Sequence, residues 1–245
     1  MKTITILLLL TFTITLLTAF NASAESMANS NAKKVLLVYG GWEGHQPKEF
    51  KDLILPWLKE QGFDVTVSNS LDIYADSAKM KEFDLIVQAW TMGQLTGEQE
   101  KGLTTAVQNG AGIAGYHGGL GDSFRSNTNY LFMVGGQFAA HPGGQIDFTV
   151  NIKNHDDPIT KGISDFTVHS EQYYMLVDPG VEVLATTTFS GEHANWTKGV
   201  VMPVVWKKSF GKGKVFYSSV GHSMKDFETP EVLEILERGI LWAVK

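Results

Sequence analysis

Residues 111–119, AGIAGYHGG, carry the pattern that decides the expected fold. The first part, 111–116, is a short apolar run typical of a strand that is buried on both faces. It ends in GYHGG, which has the form of a nucleophile elbow, G-x-nucleophile-x-G. In such a turn the central residue lies strained at a strand-to-helix junction, and the flanking glycines relieve crowding. We therefore predict that His117 lies at the carboxyl end of a strand in a parallel α/β sheet.

Strands and helices alternate on the amino-terminal side of this turn. Apolar runs at 34–39, 64–68 and 84–89 predict three more strands. A helix is predicted from Pro47, a favourable first-turn residue, to about residue 62, and another from the N-cap Thr96 to about residue 109. Strands separated by helices of this length form βαβ units, so we expect a doubly wound, mostly parallel sheet.

The spacing becomes looser on the carboxyl-terminal side of the turn. The alternating segment 145–152 predicts a half-exposed strand. Further strands, several of them antiparallel, are expected at 182–188, 202–207 and 214–219, and helices at 129–134 and 229–244. No repeat, low-complexity tract or linker divides this part of the sequence. Residues 33–245 are therefore predicted to form one domain.

Residues 1–24 have the features of an export signal. Lys2 precedes an apolar run, 4–20, and Ala22 and Ala24 form an A-x-A-like cleavage site. The alternative, a transmembrane anchor, is disfavoured because the run is short for a span and contains several threonines. Residues 25–32 are small and polar and are expected to be a flexible lead-in. We therefore predict a secreted or periplasmic protein that does not associate with the membrane after cleavage.

The composition excludes several classes of function. The chain of 245 residues contains no cysteine, which excludes disulfides, thiolate metal sites, thiol nucleophiles and lipid attachment at cysteine. The net charge is −6, and Arg125 and Arg238 are the only arginines, so no basic stripe exists to neutralise phosphates. We therefore expect no nucleic-acid partner.

Three histidines follow predicted strands. His45 lies in the turn after 34–39, His117 in the GYHGG turn, and His222 after 214–219. Ligands of parallel sheets bind beyond the carboxyl ends of the strands, so we expect these three side chains to lie in one cleft. Two further positions carry ligand-type side chains, His141 before Pro-Gly-Gly and the pair His169 and Glu171, which share one face if the segment is extended.

This set of residues fits two kinds of chemistry. Neutral imidazoles and a carboxylate suit a divalent metal such as zinc, with an open position for water or substrate. The predicted ligands of such a metal are His45, His117, His141 and His222. Without a metal, His117 and Glu171, with His169 as a further catalytic candidate, would exchange protons directly with the substrate. The remaining histidines, His155 and His193, are expected to be solvated loop residues.

Four aromatic residues lie near these motifs and have two interpretations. Trp42, Trp90, Tyr116 and Tyr173 are either core residues or rings that stack on a sugar in the cleft. We assign them as candidate substrate-binding residues. Asn195-Trp196-Thr197 has the form of a glycosylation sequon, which matters only in a eukaryotic host.

At these residues the sequence resembles the trehalose-utilisation (ThuA-like) family of the class I glutamine amidotransferase-like superfamily. The resemblance spans most of the chain after residue 33. It rests on short ordered stretches, namely 35–41 with His45, GIAGYHGG at 112–119, GGQFAAHP at 135–142, DPITKGI at 157–163, SEQYY at 170–174, MPVVW at 202–206, and 211–217 through Gly221-His222.

The resemblance implies a flavodoxin-like sheet of the amidotransferase kind and an involvement with sugars, often beside oxidoreductases that make 3-keto glycosides. The chain departs from the family at Asp157, where the family often has His before Pro-Ile-x-x-Gly. It also has His117 where true amidotransferases have the nucleophilic cysteine. Hydrolysis of glutamine by that route needs a thiolate, so glutaminase activity is excluded.

Two main functions and one further alternative remain after this reasoning. The first is an enzyme that cleaves or converts a keto-glycoside or related sugar by His/Glu acid-base chemistry, with or without a metal, as a hydrolase or a lyase. The 3-keto group supports this chemistry because it acidifies the hydrogen that β-elimination removes. The second is a non-catalytic carbohydrate-binding protein that retains the fold. A pseudoenzyme subunit is a weaker third alternative.

Overall fold

The computed structural model describes residues 32–245, so the proposed signal, 1–24, and nearly all of the lead-in, 25–32, lie outside the described residues. The strands are β1 Lys34–Gly41, β2 Asp64–Ser68, β3 Leu85–Thr91, β4 Gly112–Tyr116, β5 Gly136–Ala140, β6 Gln145–Ile152, β7 Phe166–Glu171, β8 Tyr174–Val177, β9 Glu182–Thr188, β10 Val201–Phe210 and β11 Gly213–Ser218.

Helices connect the strands of the first half and close the chain. The α-helices are α1 Pro47–Glu60, α2 Ser77–Met80, α3 Gly97–Gln108, α4 His117–Gly121, α5 Thr128–Val134 and α6 Pro230–Ala243. Short 3₁₀ turns occur at Glu43–His45, Leu71–Ala75, Asn195–Thr197 and Met224–Glu228. Within residues 32–245, no helix has both the length and the apolar character needed to cross a membrane.

A nine-stranded sheet forms the centre of the described part, in the order β2-β1-β3-β4-β11-β10-β9-β6-β7. The first five strands in this order, β2, β1, β3, β4 and β11, are parallel to one another. From β11 onward, through β10, β9, β6 and β7, each strand is antiparallel to the next. A separate antiparallel pair joins β5 to β8. The expected parallel sheet with added antiparallel strands is therefore confirmed.

Helices cover both faces of the parallel strands. Val35 and Leu37 of β1 lie in one apolar core with side chains from α1 and α6, whereas Leu36 and Val38 lie in a second core with side chains from α3 and α5. The strands are hydrophobic at successive positions because both faces are buried. This is the doubly wound arrangement, and it brings the carboxyl ends of β1, β3, β4 and β11 to one edge.

Some elements were not predicted from the sequence. β5, β7 and β8 are short strands whose residues alternate weakly, and α4 is a single short helix that begins at His117 itself. The helix predicted at 129–134 is present as α5, with Asn127 as its N-cap. The unpredicted strands matter for function because β7 delivers Glu171 to the edge where β4 ends.

A buried polar cluster under the elbow fixes α4 to the sheet. Gln88 of β3 is fully buried and accepts a hydrogen bond from Tyr74 Oη at 2.8 Å. Its Nε2 lies 2.7 Å from Tyr130 Oη, 3.0 Å from Ser123 Oγ and 3.2 Å from the Gly119 carbonyl oxygen. The Tyr130 hydroxyl in turn donates to the Leu120 carbonyl oxygen at 2.8 Å. The amide thus holds the backbone of the elbow helix in place.

We expect the substitution Gln88→Leu to lower the free energy of unfolding by about 1–3 kcal/mol, because it leaves the Tyr74 hydroxyl buried without its acceptor and removes the hydrogen bonds that the amide donates. Thermal unfolding measures this. The exposed residue Gln108 of α3 provides the control, Gln108→Leu, which should leave the melting temperature within a degree or two. Equal stability of the two variants would contradict a role for the Gln88 amide.

Candidate functional site

His117 occupies the elbow in the conformation that the motif predicts. Its φ is +42°, in the left-handed region that residues with a side chain rarely adopt. The imidazole is fully buried, and Nδ1 lies 2.8 Å from the carbonyl oxygen of Ser219, just after β11. The hydroxyl of Tyr217 donates to the His117 carbonyl oxygen at 3.0 Å. Side chain and backbone are therefore both held by the neighbouring strand.

His45 reaches the same edge from the 3₁₀ turn that follows β1. It is 7% exposed, and Nδ1 lies 3.0 Å from Thr91 Oγ1 at the end of β3. The ring packs against the backbone of Gly118, where an added Cβ would lie 2.4 Å from His45 Cε1 and Nδ1. The absence of a side chain at Gly118 is thus what allows His45 to approach His117, with ring centroids 4.7 Å apart.

His222 enters from the loop after β11. The backbone N–H of His222 donates to Asp226 Oδ2 at 3.0 Å, and the Ser223 hydroxyl donates to Asp226 Oδ1 at 3.0 Å. Asp226 is 2% exposed and caps the 3₁₀ turn Met224–Glu228. The loop that carries His222 is therefore fixed by a buried carboxylate.

Glu171, the last residue of β7, completes the cluster. One carboxylate oxygen, Oε2, lies 3.1 Å from His117 Nε2 and 3.1 Å from His222 Nδ1. The other oxygen, Oε1, lies 3.7 Å from His141 Nε2. Ligand atoms of His45, His117, Glu171 and His222 all lie within 4.8 Å of one another. We call these four residues the His₃Glu cluster.

Hydrogen bonding determines which ring nitrogen of His117 carries the proton and which carries the lone pair. A ring nitrogen that faces a carbonyl oxygen must donate, so His117 Nδ1 is protonated. In the neutral ring Nε2 is then a lone pair, and it faces a carboxylate oxygen at 3.1 Å. The Nδ1 of His222 is buried and has no hydrogen-bond partner, since its short contact with Glu171 is misaligned. A lone pair that faces a carboxylate oxygen at this distance calls for a cation between the two atoms, either a proton or a metal ion.

The electrostatics of the site favour neutral imidazoles at His45 and His117 and an ionised carboxylate at Glu171. Burial, with the neighbouring His117 and His222, lowers the pKa of His45 to about 3. Burial also lowers the pKa of His117, although Glu171 and the Ser219 carbonyl favour the protonated form. Burial opposes ionisation of Glu171, but the imidazoles of His117 and His222 outweigh it and hold its pKa well below the usual range. Contact with Glu171 raises the pKa of His222 despite burial.

Aromatic rings line the cluster on two sides. Tyr173, 3% exposed, stacks on His117 with ring centroids 3.9 Å apart, and Phe138 lies 4.5 Å from Tyr173. On the other side, Trp42 contacts His45 edge-on with centroids 4.6 Å apart and is 45% exposed. His141 stacks on Phe138 and is 41% exposed in its side chain, which makes it the accessible histidine of the group. The cluster is therefore buried but borders on exposed groups.

A cleft of about 530 Å³ lies between residues 92–95, after β3, and residues 124–127, after α4. Its cation is Arg125, whose guanidinium lies 5.4 Å from the Phe138 ring and pairs with the buried Asp122 through two nitrogens, one at 2.7 Å. Because Asp122 compensates the charge of Arg125, the cleft is polar without a free positive charge. Arg125 reaches the cluster through only Phe138 and then Tyr173 or His141.

The structure brings together most of the predicted site residues, but not all. His45, His117, His222 and Glu171 converge, with His141 at the rim. His169 does not: it is exposed and lies 2.7 Å from Asp147 Oδ1. The pair predicted on one face is separated because the end of β7 turns into the cluster at Glu171, whereas His169 faces solvent on the β6–β7 ribbon.

The four predicted substrate-binding aromatics also divide. Tyr116 is 2% exposed and packs between Phe50 and Phe227, so it is a core residue and its assignment to the cleft is corrected. Tyr173 is buried, and its ring stacks on that of His117. Trp90 is partly buried, and its Nε1 has no hydrogen-bond partner. Trp42 alone of the four combines strong exposure with contact to the cluster.

Sequence reasoning missed the residues that support the cluster. Thr91, Ser219 and Asp226 position the three histidines, and Arg125 lines the cleft and contacts the Phe138 ring. The only sequence signals for them were indirect. Thr91 stands two residues after the predicted strand 84–89, and Asp226 stands three residues after Ser223, the spacing of a capping box. The others act through contacts between segments distant in sequence.

Comparison with known proteins now adds to this geometry. The sequence profile of the family described as "ThuA: Trehalose utilisation" matches residues 34–243. The chain belongs to the ThuA family. No curated protein matches the sequence significantly. The resemblance deduced from the short stretches is therefore confirmed over the whole sheet.

Solved structures agree on the fold of this ThuA protein. A putative ThuA-like protein from Bacteroides uniformis superposes with a TM-score of 0.72 at 20% identity, covering 87% of this chain and 92% of the other. A putative ThuA-like protein from Parabacteroides merdae gives a TM-score of 0.68 at 19% identity, covering 87% and 90%. A β-galactosidase from Bacillus circulans gives 0.54 at 15% identity, covering 87% of this chain but 31% of that enzyme.

These likenesses establish the fold, an α/β sheet of the glutamine amidotransferase-like type with antiparallel strands in its second half. The family description associates the chain with carbohydrate utilisation. The elbow of this ThuA protein carries His117, and the chain contains no cysteine to replace it as a thiol nucleophile.

Proposed function

We propose that this ThuA protein is a metal-assisted enzyme that converts a neutral sugar carrying a carbonyl group, such as a 3-keto glycoside. The observation that carries the proposal is the His₃Glu cluster. It directs the Nε2 lone pair of His117 at the buried carboxylate of Glu171 and leaves His222 Nδ1, 3.1 Å from the same oxygen, without an aligned hydrogen bond. A site built only for structure would pair these groups, because an unsatisfied buried polar atom costs about 1–3 kcal/mol.

The donor set fits a divalent transition metal such as zinc. Imidazole nitrogens and a carboxylate oxygen are the ligands that zinc takes in catalytic sites. Two imidazoles are also hydrogen-bonded through Nδ1, that of His117 to the Ser219 carbonyl and that of His45 to the Thr91 hydroxyl, and the backbone of His222 is held by Asp226. Outer partners of this kind fix the orientation of ligating imidazoles. When bound, the metal would supply Lewis acidity, polarising a carbonyl and acidifying the adjacent C–H.

The cleft that Arg125 lines fits an uncharged, oxygen-rich ligand. Its volume, about 530 Å³, lies within the range of small-molecule sites. Arg125 is held rigidly by Asp122 and Phe138, so it can donate hydrogen bonds to hydroxyl groups without attracting a phosphate strongly. Trp42 offers an exposed ring next to His45 for the apolar face of a sugar. We therefore propose that these residues bind the glycoside.

The buried histidines and the exposed His141 have different roles in the proposed reaction. His45 and His117 remain neutral and offer lone pairs, since burial disfavours their cationic forms, whereas contact with Glu171 raises the pKa of His222. His141, the exposed histidine beside Glu171 Oε1, is placed to take or give a proton at the substrate. Eliminative cleavage and hydrolytic cleavage both require such a group, and the chemistry of the substrate determines which of the two occurs. The exported location that residues 1–24 predict is part of this proposal.

Metal analysis of the purified protein tests the proposal directly. We expect about one divalent ion per chain, from the single cluster that the described residues form. Dialysis against a chelator should remove the ion and reduce the turnover of 3-keto glycosides to background, and added zinc should restore it. Protein without a stoichiometric ion, and with turnover that a chelator leaves unchanged, would sink the metal-assisted proposal.

The same assay separates the enzyme from a carbohydrate-binding protein. The exposed Trp42 and the polar cleft would also serve binding alone. Thermal stabilisation by a 3-keto glycoside without product after prolonged incubation would favour this second function. Product formation that depends on the metal favours the enzyme.

A further inference from the structure

Left-handed backbone occurs at three non-glycine residues of the described chain, and all three lie at the carboxyl edge of the parallel strands. They are Gln46 with φ +50° after β1, Met92 with φ +55° after β3, and His117 with φ +42° after β4. For a residue with a side chain this conformation costs of order 1–3 kcal/mol, and it persists only where surrounding contacts impose it. His117 is explained by its place in the cluster, whereas Gln46 is not itself a candidate ligand.

The side chain of Gln46 makes an unusual connection. Gln46 is the N-cap residue of α1, yet its side chain makes no capping hydrogen bond to the helix. Its Oε1 instead accepts a hydrogen bond from the backbone N–H of Met224 at 2.9 Å, across 178 positions of sequence. Both ends of this bond adjoin the cluster, since Gln46 follows His45 directly and Met224 lies two residues after His222.

From this connection we infer that Gln46 is a positioning residue, which fastens the turn carrying His45 to the loop carrying His222 and thereby sets the spacing of two metal ligands. The inference rests on the proposed metal site. Asp226 holds the same loop from its other side, through the backbone N–H of His222 and the side chain of Ser223. The loop is thus fixed at both ends of the 222–224 segment, once by Asp226 within the loop and once to the turn that follows β1.

The backbone conformation at position 46 does not by itself favour glutamine. Glycine would adopt φ +50° without strain, and asparagine would tolerate the left-handed backbone and serve as an N-cap. Glutamine does neither as well, but it is long enough to reach Met224. The residue therefore gives up local stability, and the contact it gains in return joins two parts of the candidate site.

Two substitutions separate the link from the fold. Gln46→Gly removes the hydrogen bond and also relieves the left-handed strain, so the metal-free protein should be as stable as the original or more so. Gln46→Glu retains an oxygen acceptor at the same length and should keep the link. Titration of the metal-free proteins with Co²⁺ reports both affinity, from the binding isotherm, and ligand geometry, from the visible d–d absorption.

We expect Gln46→Gly to weaken Co²⁺ binding by about 10-fold or more, the range for loss of a residue that orients a metal ligand, and to change the visible spectrum. Gln46→Glu should restore both the affinity and the spectrum. Co²⁺ binding by Gln46→Gly that equals the original protein in affinity and spectrum would overturn the inference. Loss of affinity in Gln46→Glu equal to that in Gln46→Gly would also overturn it, because the acceptor would then not matter.

The experiment distinguishes failure of this inference from failure of the proposed function. If the original protein binds no Co²⁺ and contains no other ion, the proposed metal site fails, and the positioning role fails with it. If the original protein binds Co²⁺ and Gln46→Gly binds it equally well, the metal site stands and only the role of Gln46 is refuted.

Discussion

The substitution His117→Asn should remove the metal and abolish turnover while leaving the fold intact. Asparagine tolerates the left-handed backbone at φ +42°, and its amide nitrogen can replace Nδ1 as the donor to the Ser219 carbonyl. The change therefore deletes the Nε2 lone pair that faces Glu171 at 3.1 Å, together with the ring that stacks on Tyr173. Losing a direct ligand should cost more than the 10- to 100-fold in metal affinity that losing a hydrogen-bond partner of a ligand costs.

Turnover of a 3-keto glycoside by His117→Asn should fall by roughly 100- to 10,000-fold, the range for a lost acid-base or electrophilic group. His169→Asn is the matched control, because His169 shares the residue type and lies exposed against Asp147 instead of in the cluster. That variant should keep both its metal and its turnover. A His117→Asn protein that folds, holds a stoichiometric ion and turns over normally would refute the assignment of His117 to the site.

Gly118→Ala should damage the site by crowding alone. The added Cβ would lie 2.4 Å from two atoms of the His45 ring and 3.0 Å from Thr91 Cγ2. The backbone of Gly118 is not left-handed, so alanine meets no conformational strain there, and the methyl group must displace His45. We expect metal affinity to fall at least 100-fold. Overpacking should lower the free energy of unfolding by about 1–3 kcal/mol.

Gly97→Ala is the control for this change. No atom lies within 4 Å of a Cβ added at Gly97, in the first turn of α3, and its φ is not left-handed. This variant should be slightly more stable and should bind the metal normally. Metal content measured alongside thermal unfolding in the metal-free state separates the two effects. Normal metal content in Gly118→Ala would show that His45 does not depend on the gap beside Gly118.

The elbow explains how one fold can change its chemistry. A nucleophile elbow presents one side chain at the carboxyl edge of the sheet, whatever that side chain is. In this chain the position holds an imidazole, and the ends of other strands add two more imidazoles and a carboxylate. An edge that would present a thiol nucleophile thus presents three imidazoles and a carboxylate instead. Under the proposed function, these four side chains determine what the edge binds.

Much of this arrangement follows from local sequence. Periodic apolar runs, N-caps and the Gly-x-His-x-Gly turn predict the parallel strands, their helices and the position of His117, because strand burial and turn geometry depend on adjacent residues. The same reasoning places His45 and His222 at one edge, since parallel strands all end there. These predictions required no knowledge of which strands are neighbours.

Only the tertiary structure decided how the site is completed. The sequence pattern placed Glu171 and His169 on the same face of one strand. The end of β7 instead buries Glu171 in the cluster and leaves His169 exposed to solvent. Tyr116 was expected in the cleft and lies in the core, while Arg125, Phe138 and Gln46 act through contacts across the fold. The physical reason is that local patterns fix which face of a strand is buried. The distances among four ligand atoms depend instead on how segments far apart in sequence pack together.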